Sequence, residues 1–220
     1  MIRTLPPVHL RAPVNVGRRQ TDAIYSDDRS GSSRMINKGV SAVQLTLRSF
    51  GRGDFARLAS WLPTEADLIE WSAAFFRYPL TDDQLERYLE STRQPNARAI
   101  FVARDIDDEP VGHIEISQIW PYLSSRMSRV LVAPDKRHRG VGSSMIAKAL
   151  SFTFDAHHVD RVDLGVSASN SAAIDCYEKA GFVRVGTWPN AIEVGSRTLD
   201  VVWMTLMRDR WARVSDKKQQ

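Results

Sequence analysis

The residues with the clearest chemical potential are consecutive: Arg137-His138-Arg139-Gly140-Val141-Gly142. Glycines at 140 and 142 let the backbone turn tightly or left-handed, and they let a ligand come close to the main chain. The apolar pattern that follows, with Met145, Ala149, Phe152 and Ala156 three and four residues apart, predicts a long helix over 141–157. The first N–H groups of such a helix have no intrahelical acceptor, and the helix dipole adds positive potential there. Bare donors at a strand–helix turn suit a pyrophosphate. Arg137, His138 and Arg139 place further positive charge beside it. Two other phosphate loops do not fit. Ser143 and Ser144 stand where a Walker loop needs its Gly-Lys-Ser/Thr run, and the three spaced glycines of a dinucleotide fingerprint are missing. A tight turn without a ligand is the plain alternative.

The rest of the chain narrows the class. Cys176 is the single cysteine, so no internal disulfide forms; beside that, it reads as a small buried hydrophobe. His157-His158 diverge on a helix and have no partner cluster, so no metal site is expected. The 220 residues, 43% hydrophobic and 25% charged, suit one globular domain with tails. Charge is uneven: residues 1–40 carry net +4, residues 208–220 net +3, and the body between them net −3. A compact nucleic-acid-binding domain would concentrate its positive charge in the body, so nucleic acid is not the expected partner except through the tails. An acidic body favours the approach of cationic amines. Apolar runs stop far short of the roughly 18 residues that span a bilayer, and Pro6, Pro7, His9, Arg11 and Pro13 interrupt any signal-peptide core. A cytoplasmic location with no membrane partner is expected. The expected organisation is a disordered basic tail over 1–40, a domain over 41–210, and a basic C-terminal tail over 211–220.

The elements that must position the loop are legible from period and caps. Strands are predicted over 43–49, 98–104, 111–117, 127–133, 161–166, 182–188 and 199–207. Helices are predicted over 54–61, 65–76, 82–91, 141–157 and 171–180, with Thr81 and Asn170 as caps and Gly181 as a stop. Turn chemistry at 105–110 makes a hairpin of the second and third strands. Hairpins followed by strand–helix–strand–helix–hairpin imply an α/β (α+β) domain with a mixed, mostly antiparallel, twisted sheet of about six to seven strands and helices on both faces.

Two segments then coincide with a known pattern. Arg-x-x-Gly-x-Gly at 137–142 resembles motif A of the GNAT family of N-acetyltransferases. Ser169-Asn170-Ser171-Ala172-Ala173-Ile174, followed by Tyr177-Glu178-Lys179-Ala180-Gly181-Phe182, is similar to that family's second signature. The resemblance covers roughly residues 43–207. The strands at 112–117 and 129–133 look like the branch that acetylates ribosomal-protein amino termini. The resemblance implies acetyl-coenzyme A (acetyl-CoA) as cosubstrate, with its pantetheine arm lying between splayed parallel strands, here 127–133 and 161–166. The amides of His138, Arg139, Gly140, Val141, Gly142 and Ser143, beside Arg137, would hold the pyrophosphate. A bulge near Leu131 and Val132 would free an N–H toward the thioester carbonyl. Asn170, Ala173 and Tyr177 complete the implied cofactor contacts, and Tyr177 matches the family's general acid.

The implied reaction is direct attack of a primary amine on the thioester. The acceptor is a small amine or a protein amino terminus. An amine with a pKa near 10 must lose a proton at neutral pH. Gly165 stands where some amino-terminal acetyltransferases carry a glutamate, so Glu115 is the candidate base, set opposite Ile114 and Ile116 by strand alternation. His113 is read as pointing away from Glu115. Trp61, Trp71, Phe75, Phe76 and Tyr78, with Trp188-Pro189-Asn190, are candidates to line an acceptor pocket, core packing being the alternative. An acyl-CoA sensor without turnover is the alternative function; the retained Tyr177 argues for the enzyme. Pairing of edge strands into a homodimer is a further expectation.

Overall fold

The computed structural model describes residues 43–93, 98–119, 123–156, 159–194 and 197–219. The basic segment 1–40 and the pair His157-His158 fall outside the described residues. In chain order the elements are β1 (Thr46–Ser49), α1 (Phe55–Ser60), α2 (Glu65–Ser72), α3 (Asp82–Glu90), β2 (Arg98–Arg104), β3 (Pro110–Ile119), β4 (Ser124–Val132), α4 (Val141–Ala156), β5 (Arg161–Ser167), α5 (Ser171–Lys179), β6 (Val183–Val194), β7 (Arg197–Met207) and α6 (Arg208–Gln219).

The caps explain where the helices begin. The Thr64 and Thr81 hydroxyls accept from the amides of Asp67 and Gln84, and each first turn carries two acidic residues facing the positive end of the dipole. The helix predicted over 65–76 stops at Ser72, because Ala73 and Ala74 both turn left-handed with φ of 51° and 63°. That turn folds Phe76 back until its ring stacks on Trp71 at 5.5 Å. No glycine marks it in the sequence.

The seven strands form one sheet in the order β1-β2-β3-β4-β5-β7-β6. Every neighbouring pair is antiparallel except β4–β5, which is parallel. The β4–β5 pairing runs only from Ser124↔Arg161 to Arg126↔Asp163, although both strands continue beyond it. The two strands therefore part, and the backbone groups on their facing edges lose their ladder partners.

Alternation sends the sheet's residues to two cores. Ile114, Ile116, Met127, Val162, Leu164 and Met204 join α4 and α5 on one face. On the other face Ile100 and Leu131 pack with Leu58, Leu68, Leu85 and Tyr88 from α1, α2 and α3. Each such fully buried aliphatic side chain contributes about 1.5–3 kcal/mol of transfer free energy. The segment expected as a tail from residue 211 is instead the helix α6. Its Trp211 stacks on Phe154 at 6.0 Å, and Arg208, at its start, donates to the carbonyls of Phe154 and Val159. Among the described residues no helix is long and apolar enough to cross a membrane.

Candidate active site

The parted strands carry a bulge. Across β3–β4, Glu115 faces Ser128 and His113 faces Leu131, so Arg129 and Val130 together oppose Ile114. The bulge thus falls two residues earlier than the predicted Leu131–Val132. Arg129 takes a left-handed φ of 49°, a conformation that costs a non-glycine residue about 1–2 kcal/mol. Two ring N–H groups offset that cost. Trp71 Nε1 donates to the Arg129 carbonyl at 2.8 Å, and His113 Nδ1 lies 2.9 Å from the same oxygen. A carbonyl can only accept, so His113 carries its proton on Nδ1. Burial pulls the imidazole down to about 4, so the ring is neutral at pH 7.

The register decides which β4 amides face the gap. Ala133 donates to the Val111 carbonyl, so by alternation Leu131 also turns its amide toward β3. Val132 then turns its N–H the other way, toward β5. Of the two residues predicted to free an amide, Leu131 is spent on the β3 ladder and its side chain on the second core.

Of the two glycines expected to shape the turn after β4, only Gly140 is left-handed, and Gly142 lies inside α4. His138 and Gly140 are both left-handed, with φ of 59° and 83°, and α4 begins at Val141. Among the described residues, none of the amides from His138 to Ser143 donates to a protein acceptor; Ser144, one step further, is the first to close on the Gly140 carbonyl. A Cβ at Gly142 would meet Val132 Cγ2 at 3.5 Å and Cys176 Sγ at 3.8 Å, so this glycine backs onto the end of β4 and onto α5. Arg137 reaches back, its Nε 3.3 Å from the Val132 carbonyl. The Arg139 side chain is exposed.

Across the gap, Asn170 caps α5: its Oδ1 accepts from the Ala173 amide at 3.0 Å. Its Nδ2 points to Glu70 of α2 at 3.3 Å, so residues from both sides of the parted strands meet here. Tyr177 is 7% exposed, edge-on to Phe182, and its hydroxyl makes no hydrogen bond among the described residues. Burial raises the phenol well above its ordinary range, so it holds its proton. Cys176 is half-buried, with Sγ 3.4 Å from Ser143 Oγ.

Glu115 is not placed to receive a proton from a substrate. It is 1% exposed. Arg129 binds it through Nε and Nη2 at 2.6 Å each, Tyr88 donates its hydroxyl at 2.6 Å, and Arg98 lies 3.6 Å away. Both carboxylate oxygens are taken. Burial holds Tyr88 well above the usual phenol range, which keeps it a donor. Alternation correctly set Glu115 opposite Ile114 and Ile116. It could not show that α3 covers that face. His113, two residues earlier, lies on the same face as Glu115, contrary to the reading above, because strand side chains repeat with period two. Trp61, Trp71 and Phe76 belong to the second core, whereas Phe75, Tyr78 and Trp188 are exposed. Phe75 caps the Arg129 guanidinium at 4.2 Å. At Gly165 a side chain would meet Val201 at 3.1 Å and the Trp203 ring at 3.6 Å, so the place of the missing glutamate is filled from β7. Among the described residues no three His, Cys, Asp or Glu side chains gather as metal ligands would.

A bare-amide turn between parted parallel strands, with a protonated tyrosine across the gap, describes an acyl-CoA-dependent N-acetyltransferase. The chain belongs to the Acetyltransferase (GNAT) family, which matches residues 65–182. It is similar to the spermidine N(1)-acetyltransferase of Vibrio cholerae, with 26% identity over 174 residues, covering 79% of this chain and 98% of that protein. It is also similar to an aminoglycoside N(6')-acetyltransferase type 1 of Klebsiella pneumoniae, with 27% identity over 157 residues, covering 65% of this chain and 76% of the relative. The fold is shared with a solved spermidine N-acetyltransferase from Vibrio cholerae in complex with CoA and spermine. There the TM-score is 0.68 at 24% identity, covering 77% of this chain and 98% of the other.

Proposed function

We propose that this enzyme moves the acetyl group of acetyl-CoA to a primary amine, either on a small molecule or at a protein amino terminus, by direct attack. The observation that carries the reading is the parting of β4 and β5 past Arg126/Asp163, directly below a turn whose amides are unspent. Curated relatives that acetylate spermidine and aminoglycosides, both multiply aminated, support an amine acceptor.

In this reading the amides of His138–Ser143 bind the diphosphate, and the edges of β4 and β5 take the pantetheine arm as an added strand. The amine nitrogen bonds to the carbonyl carbon, the carbon–sulfur bond breaks, and the amine's proton leaves to solvent. The Val132 amide faces the developing oxyanion, an interaction worth about 3–4 kcal/mol when the donor is fixed in advance. Trp71 and His113 fix it by clamping the bulge next to it. Tyr177 donates a hydrogen bond to the departing thiolate. Its raised pKa makes complete proton transfer to a thiolate of ordinary basicity uphill, so its contribution is that bond. Glu115 orients Arg129 and the bulge and touches no substrate. The locked state of Glu115 also favours a second reading, an acyl-CoA sensor without turnover. Release of free thiol from acetyl-CoA against a panel of polyamines, aminoglycosides, amino acids and peptides separates the two. Amine-dependent release supports the enzyme; binding of CoA with no release from any amine supports the sensor.

A further inference from the structure

The foot of the parted strands holds two donors that the proposed reaction does not use. Arg126 is the last β4 residue paired with β5, and it shares a sheet face with Gly165 and Trp203. Its guanidinium lies over the Trp203 ring, 4.8 Å from the centroid. Arg126 Nε and Trp203 Nε1 are both buried, and among the described residues neither has a hydrogen-bond partner. The carboxylate nearest in register is Asp163, but Arg161 Nε holds one of its oxygens at 2.9 Å and Thr205 Oγ1 donates to the other at 2.7 Å. Burial lowers the Arg126 pKa, whereas Arg129, three residues on, is satisfied by Glu115. A buried guanidinium Nε and a buried indole N–H without acceptors among the described residues are costly to keep, and they mark a place where a ligand supplies the acceptor.

We propose that Arg126 and Trp203 form a subsite for a carboxylate carried by one of the two substrates. In this proposal the Arg126 Nε–H and the Trp203 indole N–H donate to one anionic group, and the Trp203 ring, 4.8 Å away, holds the guanidinium in place for it. The carboxylate comes either from the end of a dicarboxylic acyl chain or from an acceptor whose amine lies at the bulge. Arg126 stands three residues from Arg129, about 10 Å along the strand, within the span of a tripeptide acceptor. This inference rests on the acyl-transfer reading of the same gap and names a preference within it.

Two matched pairs distinguish the sources: succinyl-CoA against acetyl-CoA with one neutral amine, and triglycine against triglycinamide with acetyl-CoA. The wild type should prefer the carboxylate-bearing member of one pair by about 10–100-fold in kcat/KM. The pair that shows it identifies the source. Arg126→Gln should bring that ratio close to one, and a ratio is insensitive to a general loss of activity. Binding gives a readout independent of turnover. The indole N–H resonance of Trp203, assigned by its loss in Trp203→Phe, should move with succinyl-CoA or triglycine and stay with acetyl-CoA or triglycinamide. Amine-dependent turnover with no preference in either pair and a still resonance overturns the subsite while the acyl-transfer reading stands. A shifted resonance without any turnover supports the subsite and counts against the enzyme.

Discussion

His113 ties acid stability to the bulge that faces the thioester. Its imidazole is neutral, buried, and bound through Nδ1 to the Arg129 carbonyl, with Nε2 facing no partner among the described residues. Burial is the main cause of its depression from 6.5 to about 4; the bond to the Arg129 carbonyl and the Glu115 charge oppose it, and the Arg129 charge adds to it. The unfolded chain therefore binds a proton near pH 6.5 that the folded chain refuses until about pH 4. Stability is full above pH 6.5, falls as pH drops through that window, and stops changing on this account below about 4. A shift of this size corresponds to about 3 kcal/mol. His113→Asn is the informative variant: Asn Nδ2 reproduces the Nδ1 donor and does not titrate. Urea unfolding followed by tryptophan fluorescence from pH 7.5 to 4 should show the wild type losing about 3 kcal/mol more than His113→Asn across the window, whatever their offset at pH 7.5. Parallel curves would refute the buried neutral imidazole, and with it the clamp as described.

Four further outcomes rest on the same geometry. Gly142→Ala should fold and retain CoA affinity, since its Cβ makes only ordinary contacts. Gly142→Asp should weaken CoA about 100-fold by calorimetry, because a carboxylate about 5 Å from a phosphate charge costs about 3 kcal/mol at an effective dielectric near 20; undiminished affinity would remove the turn from the site. Glu115→Gln should lower unfolding stability by roughly 3–5 kcal/mol, by leaving Arg129 buried without its counter-charge, yet should not change the shape of the pH–rate profile. Loss of the acidic limb of that profile would make Glu115 the proton acceptor after all. Tyr177→Phe should reduce kcat about 10–100-fold, the worth of one hydrogen bond to a charged sulfur, with little change in KM for acetyl-CoA. An unaltered kcat would take Tyr177 out of the reaction.

The site was partly legible in the sequence because its parts are backbone devices with side-chain markers. Gly140 and Gly142 announce the turn, Asn170 announces the cap of α5, and Gly181 the stop. The bulge was misplaced because no glycine or proline marks it. Arg129 is held left-handed by Trp71, 58 residues earlier, and by His113, 16 residues earlier. The role of Glu115 was hidden for a related reason. Alternation gives a residue's face, but whether that face is solvent or core depends on α1, α2 and α3 folding over it. The helix α6 is hard to read from sequence because its residues are mostly charged and Trp211, which stacks on Phe154, is one of its few apolar residues. The parting of β4 and β5 was legible only through the family resemblance, since strand patterning says nothing of where a ladder ends.

On this account the turn from His138 to Ser143 and the gap between β4 and β5 together hold an acyl-CoA. A crystal structure of the full chain with CoA tests it most directly. Phosphate oxygens should lie about 3 Å from those amides, with the sulfur between the parted strands within hydrogen-bond reach of the Tyr177 hydroxyl. A cofactor bound elsewhere, or a turn whose amides are taken by the protein's own groups, would contradict it.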